Sequence, residues 1–341
     1  GRPTDPAGRR VNAEHLFTTS GSTGMPRQWL RSRAQMEREA ALILGRWAPG
    51  AREIFSFAPT SHSYGMILGE VGARVMNAQL QACSLEQQRL PVLDGDGPCV
   101  ILAIASTWRV LPALLARLAA RRSVLVLHSA SLLPPGALAT VQQHAGPQVR
   151  FVELLGSTET GALAYRELDG QSTAEQAWTL LDDVTLLSAV GQVCGLEVAS
   201  PRIAREPGQA LPAATHRCDD QVLALDSRRF EWLGRSSSLI KVNGVRLDLA
   251  RLASELGQRL DCPALACVAV RDALRGEAFE VLFSGATLTE RAVLDAFRAL
   301  PPGHPRPVAV RHVTDLPLSA TGKPQPWAAN ISVKEYTHDP R

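Results

Sequence analysis

The chain has 341 residues, 45% hydrophobic and 20% charged, so it can bury a sizeable core and form more than one domain. Its formal net charge of +3 is small for that length, with arginine scattered rather than striped, so nucleic acid is not implied; nor does any apolar run approach the ~18 residues of a membrane span. Six cysteines, at 83, 99, 194, 218, 262 and 267, form no CxxC pair and have no histidine near metal-ligand spacing; with no charged and then apolar leader visible, they read as reduced thiols of a cytoplasmic protein.

Near the front, Thr18 and Thr19 lead into Ser20, Gly21, Ser22, Thr23 and Gly24, followed by Met25, Pro26 and Arg27. A Ser/Thr/Gly run is most often a linker or turn. It lacks the Gly, four residues, Gly-Lys-Ser/Thr spacing of a P-loop. Bare glycine amides, hydroxyls and one cation can instead cradle phosphate oxygens as a nest does. Ser32 with Gln35 reads as a capping box that opens a helix to about Leu44, so the run is held between ordered segments and the linker loses ground.

Further on, compact apolar runs at Glu53 to Ala58, Val100 to Ala105, Ser123 to Leu127 and Val149 to Leu155 have the character of buried strands. The Leu- and Ala-rich stretch from Leu111 to Ala120 predicts a helix between two of them, and strand–helix–strand alternation predicts parallel pairing with helical faces. After Trp178 the strands shorten: Val193 to Val198, Val222 to Leu225 and Phe230 to Leu233.

The small polar run Gly234 to Ser238 reads as a boundary. Beyond it, Leu239 to Val242 and Val245 to Leu247 flank Asn243-Gly244, a strong hairpin signal. Asp248 predicts the cap of a helix with Leu249, Leu252, Ala253, Leu256 and Leu260 on one face. Strands at Ala266 to Val270 and Phe279 to Phe283, a helix from a Thr287/Glu290 capping box to about Leu300, and a strand at Val308 to Val313 complete a small α+β domain.

Five motifs now stand in order: Thr19 to Arg27; His62-Ser63-Tyr64-Gly65; Gly156-Ser157-Thr158-Glu159; Gly234-Arg235 with Lys241 to Gly244; and Leu316 to Lys323. Together they resemble the core motifs of the adenylate-forming superfamily, which contains acyl-CoA synthetases, aryl-acid ligases, peptide-synthetase adenylation domains and luciferase. The resemblance spans residues 17 to 324 and implies an α/β fold: a large N-terminal domain of mixed sheets flanked by helices, plus a small α+β C-terminal domain. The expected division is 1–235 for nucleotide and acyl binding, 236–330 for a mobile lid and 331–341 for a tail. Full members carry a further subdomain ahead of the phosphate loop, so the N-terminal part of the large domain is expected to be missing here.

By the same resemblance, the loop of Thr19, Ser20, Gly21, Ser22, Thr23 and Gly24 would hold the β- and γ-phosphates of ATP. Arg27 stands where the family has Lys and keeps the cation, although a planar fork is not a point charge. Ser129, Ala130 and Ser131 would form the adenine side. Leu155 replaces the family's aromatic residue before Gly156, so ring stacking there is lost or weakened. Thr158 would bind the α-phosphate and Glu159 would hold Mg2+, a hard cation that prefers carboxylate and phosphate oxygens. Asp220 and Arg235 would grip the ribose; Asp219, where the family has Gly, reads as a surface carboxylate. Ser237 takes the hinge position.

Lys323 would neutralise charge as the acyl-phosphate forms, although a loop lysine is ordinarily only a solvated charge. Lys241 would serve the second step, in which the small domain has rotated and a pantetheine thiol enters; a plain surface hairpin is the other reading of its turn. His62, Tyr64 and Gly65 correspond to the acyl pocket, which favours an aryl acid such as a hydroxybenzoate, while a satisfied His–Tyr structural pair has equal standing. Ser20 to Ser237 is 217 positions, short for the family, as in compact ligases that load an aryl starter onto a carrier protein.

The implied activity is therefore an AMP-forming acid–thiol ligase using ATP and Mg2+, with a carboxylic acid as substrate and coenzyme A or an acyl carrier protein as acceptor. The alternative is an inactive nucleotide-binding relic, or a fragment of a fatty-acyl ligase.

Overall fold

Ser32 begins the first helix as its spacing from Gln35 predicts: its hydroxyl accepts from Gln35 N at 3.2 Å, and the Gln35 side chain accepts from Ser32 N at 2.9 Å. The computed structural model of the chain describes residues 14–19, 27–130, 133–134, 136–173, 175–235, 238–242, 245–272, 276–300, 304–318 and 324. Of the predicted site, Ser20, Gly21, Ser22, Thr23, Gly24, Ser131, Ser237 and Lys323 lie outside these residues, as does the Asn243-Gly244 turn.

In chain order, β1 (Glu14–Thr19) and β2 (Arg27–Ser32) form an antiparallel pair, followed by α1 (Arg33–Trp47) and β3 (Glu53–Ser56). A π-helical segment, Gly65–Val71, runs on into α2 (Gly72–Met76), and β4 (Gln79–Ala82) follows. Next come β5 (Cys99–Ala103), α3 (Leu111–Leu118), β6 (Val124–His128), α4 (Ala137–His144), β7 (Val149–Ser157) and β8 (Gly161–Leu168). Shorter strands continue as β9 (Trp178–Leu180), β10 (Thr185–Leu186), β11 (Val193–Ala199), β12 (Thr215–Ala224) and β13 (Arg229–Arg235).

Among the described residues β3 to β13 make one sheet of eleven strands, ordered β10-β11-β12-β13-β9-β8-β7-β6-β5-β3-β4. The stretch from β4 to β7 is parallel throughout. Every residue of β3, β5 and β6 is buried, which is why these strands read as continuous apolar runs rather than alternating ones. At β7 the direction changes, and β8 returns antiparallel with a register shift between Leu155 and Gly156. Strand β12 starts seven residues before its apolar Val222, with exposed and half-buried residues alternating from Thr215 to Asp220; its first half is polar and carries no apolar run.

The chain divides into two compact units: Gly1–Cys218 with Val222–Trp232, and Asp219–Gln221 with Leu233–Arg341. The core of the first includes Ile43, Ile54, Phe55, Ile101, Leu127, Phe151 and Phe230. In the second, β14 (Leu239–Val242) and β15 (Val245–Asp248) pair antiparallel, and α5 (Leu249–Arg259) follows. Asp248 caps α5, its Oδ1 accepting from Ala250 N at 2.9 Å and Arg251 N at 3.2 Å. Strands β16 (Leu265–Asp272), β17 (Gly276–Phe283) and β18 (Ala309–His312) make a sheet whose face packs with Leu252, Leu256, Val293 and Phe297 of α5 and α6 (Glu290–Arg298). The cap of α6 is Thr289, not Thr287: extended backbone at Thr289, directly before the helix, aims its hydroxyl at Ala292 N, 3.2 Å away.

Candidate nucleotide site

Because β3, β5, β6 and β7 run parallel, their carboxyl ends share one edge of the sheet. The chain passes from β3 outward to β4 and then back to β5 on the other side of β3, the reversal at which doubly wound sheets leave a crevice for a ligand. The segments that leave this edge carry His62, Ser63 and Tyr64 after β3, Ser129 and Ala130 after β6, and Thr158 and Glu159 after β7. Residues almost a hundred positions apart are thereby brought together.

Ser63 and Thr158 are both buried, and their hydroxyl oxygens lie 3.3 Å apart. Ser129 Oγ donates to Leu154 O at 3.0 Å, tying the end of β6 to β7. Ala130 follows with φ +71°, a left-handed conformation uncommon outside glycine. Within the turn after β7, Ser157 Oγ accepts from Thr160 N at 3.3 Å, and Thr160 Oγ1 donates to Gly161 O at 2.9 Å. At the register shift a Cβ on Gly156 would lie 2.2 Å from Gly161 O, so the turn closes only over glycine. Leu155, half-buried, packs against the core.

His62 Nδ1 accepts from Tyr64 N at 3.3 Å, which places the ring proton on Nε2. Tyr64 is buried and donates its phenol hydrogen to Leu127 O at 2.7 Å, pinning the segment to β6; burial pushes its pKa well above the usual 10.0, so it stays a neutral donor. Gly65 opens the π-helical segment where any Cβ would meet Pro59 O at 2.3 Å. The His62 ring is thus bonded to the Tyr64 backbone and the Tyr64 hydroxyl to β6, an arrangement compatible with either reading of the pair.

Thr19 and Arg27 face each other across β1 and β2, and Thr19 Oγ1 donates to Arg27 O at 3.4 Å, so both stand at the stem of the predicted phosphate loop. On the same strand Leu30 exchanges both backbone hydrogen bonds with Arg205, at 2.8 and 3.0 Å. The neighbouring Ala204 N donates to Glu159 O at 2.7 Å. One short segment thus joins the strand after the loop to the turn after β7. Glu159 is half-buried and close to His216, whose ring also meets the buried Trp29 edge-on at 6.2 Å; burial lowers the pKa of His216 while the Glu159 carboxylate opposes the shift.

In the second unit Arg235 Nε lies 3.7 Å from Asp220 Oδ1, an ion pair between two predicted ribose contacts. Lys241 stands on β14 opposite Arg246. Among the described residues no three His, Cys, Asp or Glu side chains gather as a metal cage. A single carboxylate at Glu159 still suits Mg2+, which takes most of its oxygens from phosphates and water.

Sequence reading passed over Ser63, Thr160 and the buried charges Arg31, Glu39 and Arg202. The last group left one signal: Glu39 falls within the apolar stripe of α1 formed by Met36, Ala40, Ile43, Leu44 and Trp47, where a charge requires a partner.

No protein-family model and no curated protein matches this sequence. Solved structures do match. The anthranilate CoA ligase AuaEII in complex with anthranoyl-AMP is 16% identical at a TM-score of 0.70, with 94% of this chain and 67% of that one covered. McyG A-PCP complexed with phenylalanyl-adenylate gives 13% and 0.69, covering 91% of this chain and 64% of that one. The O-succinylbenzoate coenzyme A synthetase MenE from Bacillus subtilis, in complex with ATP and magnesium ion, gives 16% and 0.68, covering 90% and 68%. The fold is that of the adenylate-forming enzymes. The chain spans about two thirds of the length of these structures.

Proposed function

We propose that the chain is an ATP-dependent carboxylic-acid ligase that makes an acyl-adenylate and then a thioester on a pantetheine thiol. The observation that carries this reading is the meeting of Ser63 and Thr158 at the carboxyl edge of the parallel strands, the edge from which the segments with Ser129, Ala130 and Glu159 also leave. Hydroxyls and backbone amides fixed before the substrate arrives can stabilise charge on a phosphorus centre without reorganising.

In the first step a carboxylate oxygen attacks the α-phosphorus of ATP; a C–O–P bond forms, the bond to the β-phosphate oxygen breaks, and pyrophosphate leaves with the electron pair. Thr158 donates to the α-phosphate. Ser20, Ser22, Thr23 and the amides of Gly21 and Gly24 hold the outgoing phosphates, with Arg27 as the nearby cation. Ser129, Ala130 and Ser131 border the base, with Leu155 and Gly156 alongside, and Asp220 and Arg235 take the ribose hydroxyls. Glu159 would hold Mg2+, which supplies charge neutralisation on the phosphate oxygens when bound. Lys323 neutralises charge on the reacting carboxylate and α-phosphate. In the second step a thiol sulfur attacks the acyl carbon, AMP leaves with the bonding electrons, and the thiol proton passes to solvent; Lys241 serves this step, and Ser237 is the position whose backbone rotation separates the two.

The acid is proposed to be aryl, with His62 facing it from the loop after β3 and Tyr64 and Gly65 fixing that loop; the acceptor is coenzyme A or an acyl carrier protein. ATP–pyrophosphate exchange with a panel of aryl and fatty acids tests the assignment, with the adenylate identified by mass. Exchange with an aryl acid is expected. Absence of exchange with every acid, while ATP still binds, would favour a nucleotide-binding relic. Lys323→Ala is expected to cripple adenylate formation and spare thioester formation from supplied adenylate; equal loss of both contradicts the division of labour.

A further inference from the structure

Glu39 is buried on the apolar face of α1, and a carboxylate persists there only when its charge and lone pairs are met. Arg31, on the strand that follows the predicted phosphate loop, donates from Nη2 to Glu39 Oε2 and to Arg202 O, both at 2.8 Å. Arg202 Nη1 lies 3.3 Å from the same Oε2, while its Nε and Nη2 reach the two oxygens of Asp183 at 3.0 and 2.9 Å. Neither arginine has exposed surface. Burial alone would raise the pKa of Glu39, but the charges of Arg31 and Arg202 and the bond from Ala162 N outweigh it and hold the carboxyl below its ordinary value.

The other oxygen, Oε1, accepts from Ala162 N at 2.9 Å, at the start of β8 and three residues past Glu159. Between them Gly161 adopts φ +70°, and a Cβ there would lie 2.2 Å from Glu39 Oε2 and 2.8 Å from Arg31 Nη2. Glu39 therefore fills the space against which the turn closes. The segment holding Arg202 also bonds the turn, through Ala204 N to Glu159 O. Apolar residues of similar volume often replace a buried ion group without loss of stability, so stability by itself does not account for this one.

We propose that Glu39, held by Arg31 and Arg202, is a positioning residue that fixes the Thr158–Glu159 turn relative to the strand carrying the phosphate loop. The inference deepens the ligase reading and rests on it, since the turn matters through the α-phosphate and cation it is assigned. The role is one of placement: a displacement of about 1 Å in such a site can cost about 100-fold in rate.

Two variants test it. In R31M/E39M the pair is replaced by apolar side chains of similar length; E39Q keeps the shape and carries the same readouts if the double variant does not fold. In the free protein, amide hydrogen exchange across residues 157–163 is expected to quicken about tenfold or more while α5 is unchanged. In ATP–pyrophosphate exchange, kcat is expected to fall about 100-fold and the half-saturating Mg2+ concentration to rise. A merely structural role would reduce the amount of folded protein and leave half-saturating Mg2+ where it was. Unchanged protection at 157–163, or unchanged Mg2+ dependence in a folded variant, overturns the proposal. If the wild-type protein exchanges with no acid, the ligase reading fails separately; calorimetric binding of MgATP then decides, equal affinity in wild type and variant overturning the role of Glu39 and weaker binding in the variant supporting it.

Discussion

At Thr158 the proposed role rests on one oxygen. Its hydroxyl meets Ser63 at 3.3 Å in a buried setting and is the group assigned to the α-phosphate. Thr158→Val keeps the volume, removes the donor and leaves the Ser63 hydroxyl buried without that partner, which costs about 1–3 kcal/mol. Loss of one preorganised donor to a developing charge is expected to slow pyrophosphate exchange by about 100-fold or more, whereas Thr158→Ser should retain most of the rate. Equal rates for valine and serine would remove Thr158 from the reaction. The residue was visible in the sequence because it follows Gly156 and Ser157 in a motif; Ser63 stood in another motif, and nothing in its spacing pointed to a partner 95 positions away. The side chains of His62 and Tyr64 show the same limit, since only the fold reveals that Tyr64 spends its hydroxyl on Leu127.

Among the elements, the β7–β8 pair decides the shape of the turn. The register shift at Leu155 and Gly156 brings the two strands so close that a Cβ on Gly156 would collide with a backbone carbonyl, which cannot swing aside as a flexible side chain does. Gly156→Ala is expected to destabilise the protein by about 1–3 kcal/mol, read as a lowered thermal midpoint, and to impair exchange as well. A variant that melts with the wild type would show that the strands can part at no cost. Helices and buried strands were legible where local chemistry suffices: the Ser32/Gln35 box, the Asp248 cap and the apolar runs of β3, β5 and β6. Strand β12 was not, because a polar half-strand gains its stability from its neighbours rather than from its own composition. The cap at Thr289 instead of Thr287 is a choice between two hydroxyls that only backbone geometry makes.

For the whole molecule, the ionic group of Glu39, Asp183, Arg31 and Arg202 ties stability to pH. Burial raises and the arginine partners lower the pKa of both carboxylates, leaving Glu39 below its usual 4.5 and Asp183 below its usual 3.8. A depressed folded-state pKa contributes stability that is present above the unfolded value and is lost as pH falls through the folded one. The thermal midpoint is therefore expected to drop as pH falls below about 4.5, with the R31M/E39M variant showing a shallower slope than the wild type in that range. Identical slopes would mean that the group is not ionised in the folded protein.

The five motifs, the individual strands and helices, and the caps of α1 and α5 were legible in the sequence alone, because each is written in residues within a few positions of one another. The reversal at β3, which brings Ser63 to Thr158, and the burial of Glu39 against Arg31 and Arg202 were decided only by tertiary structure. Pairing across 95 positions, or 171 between Arg31 and Arg202, leaves no periodic trace in a chain, and a buried charge shows its purpose only when its partners are in place.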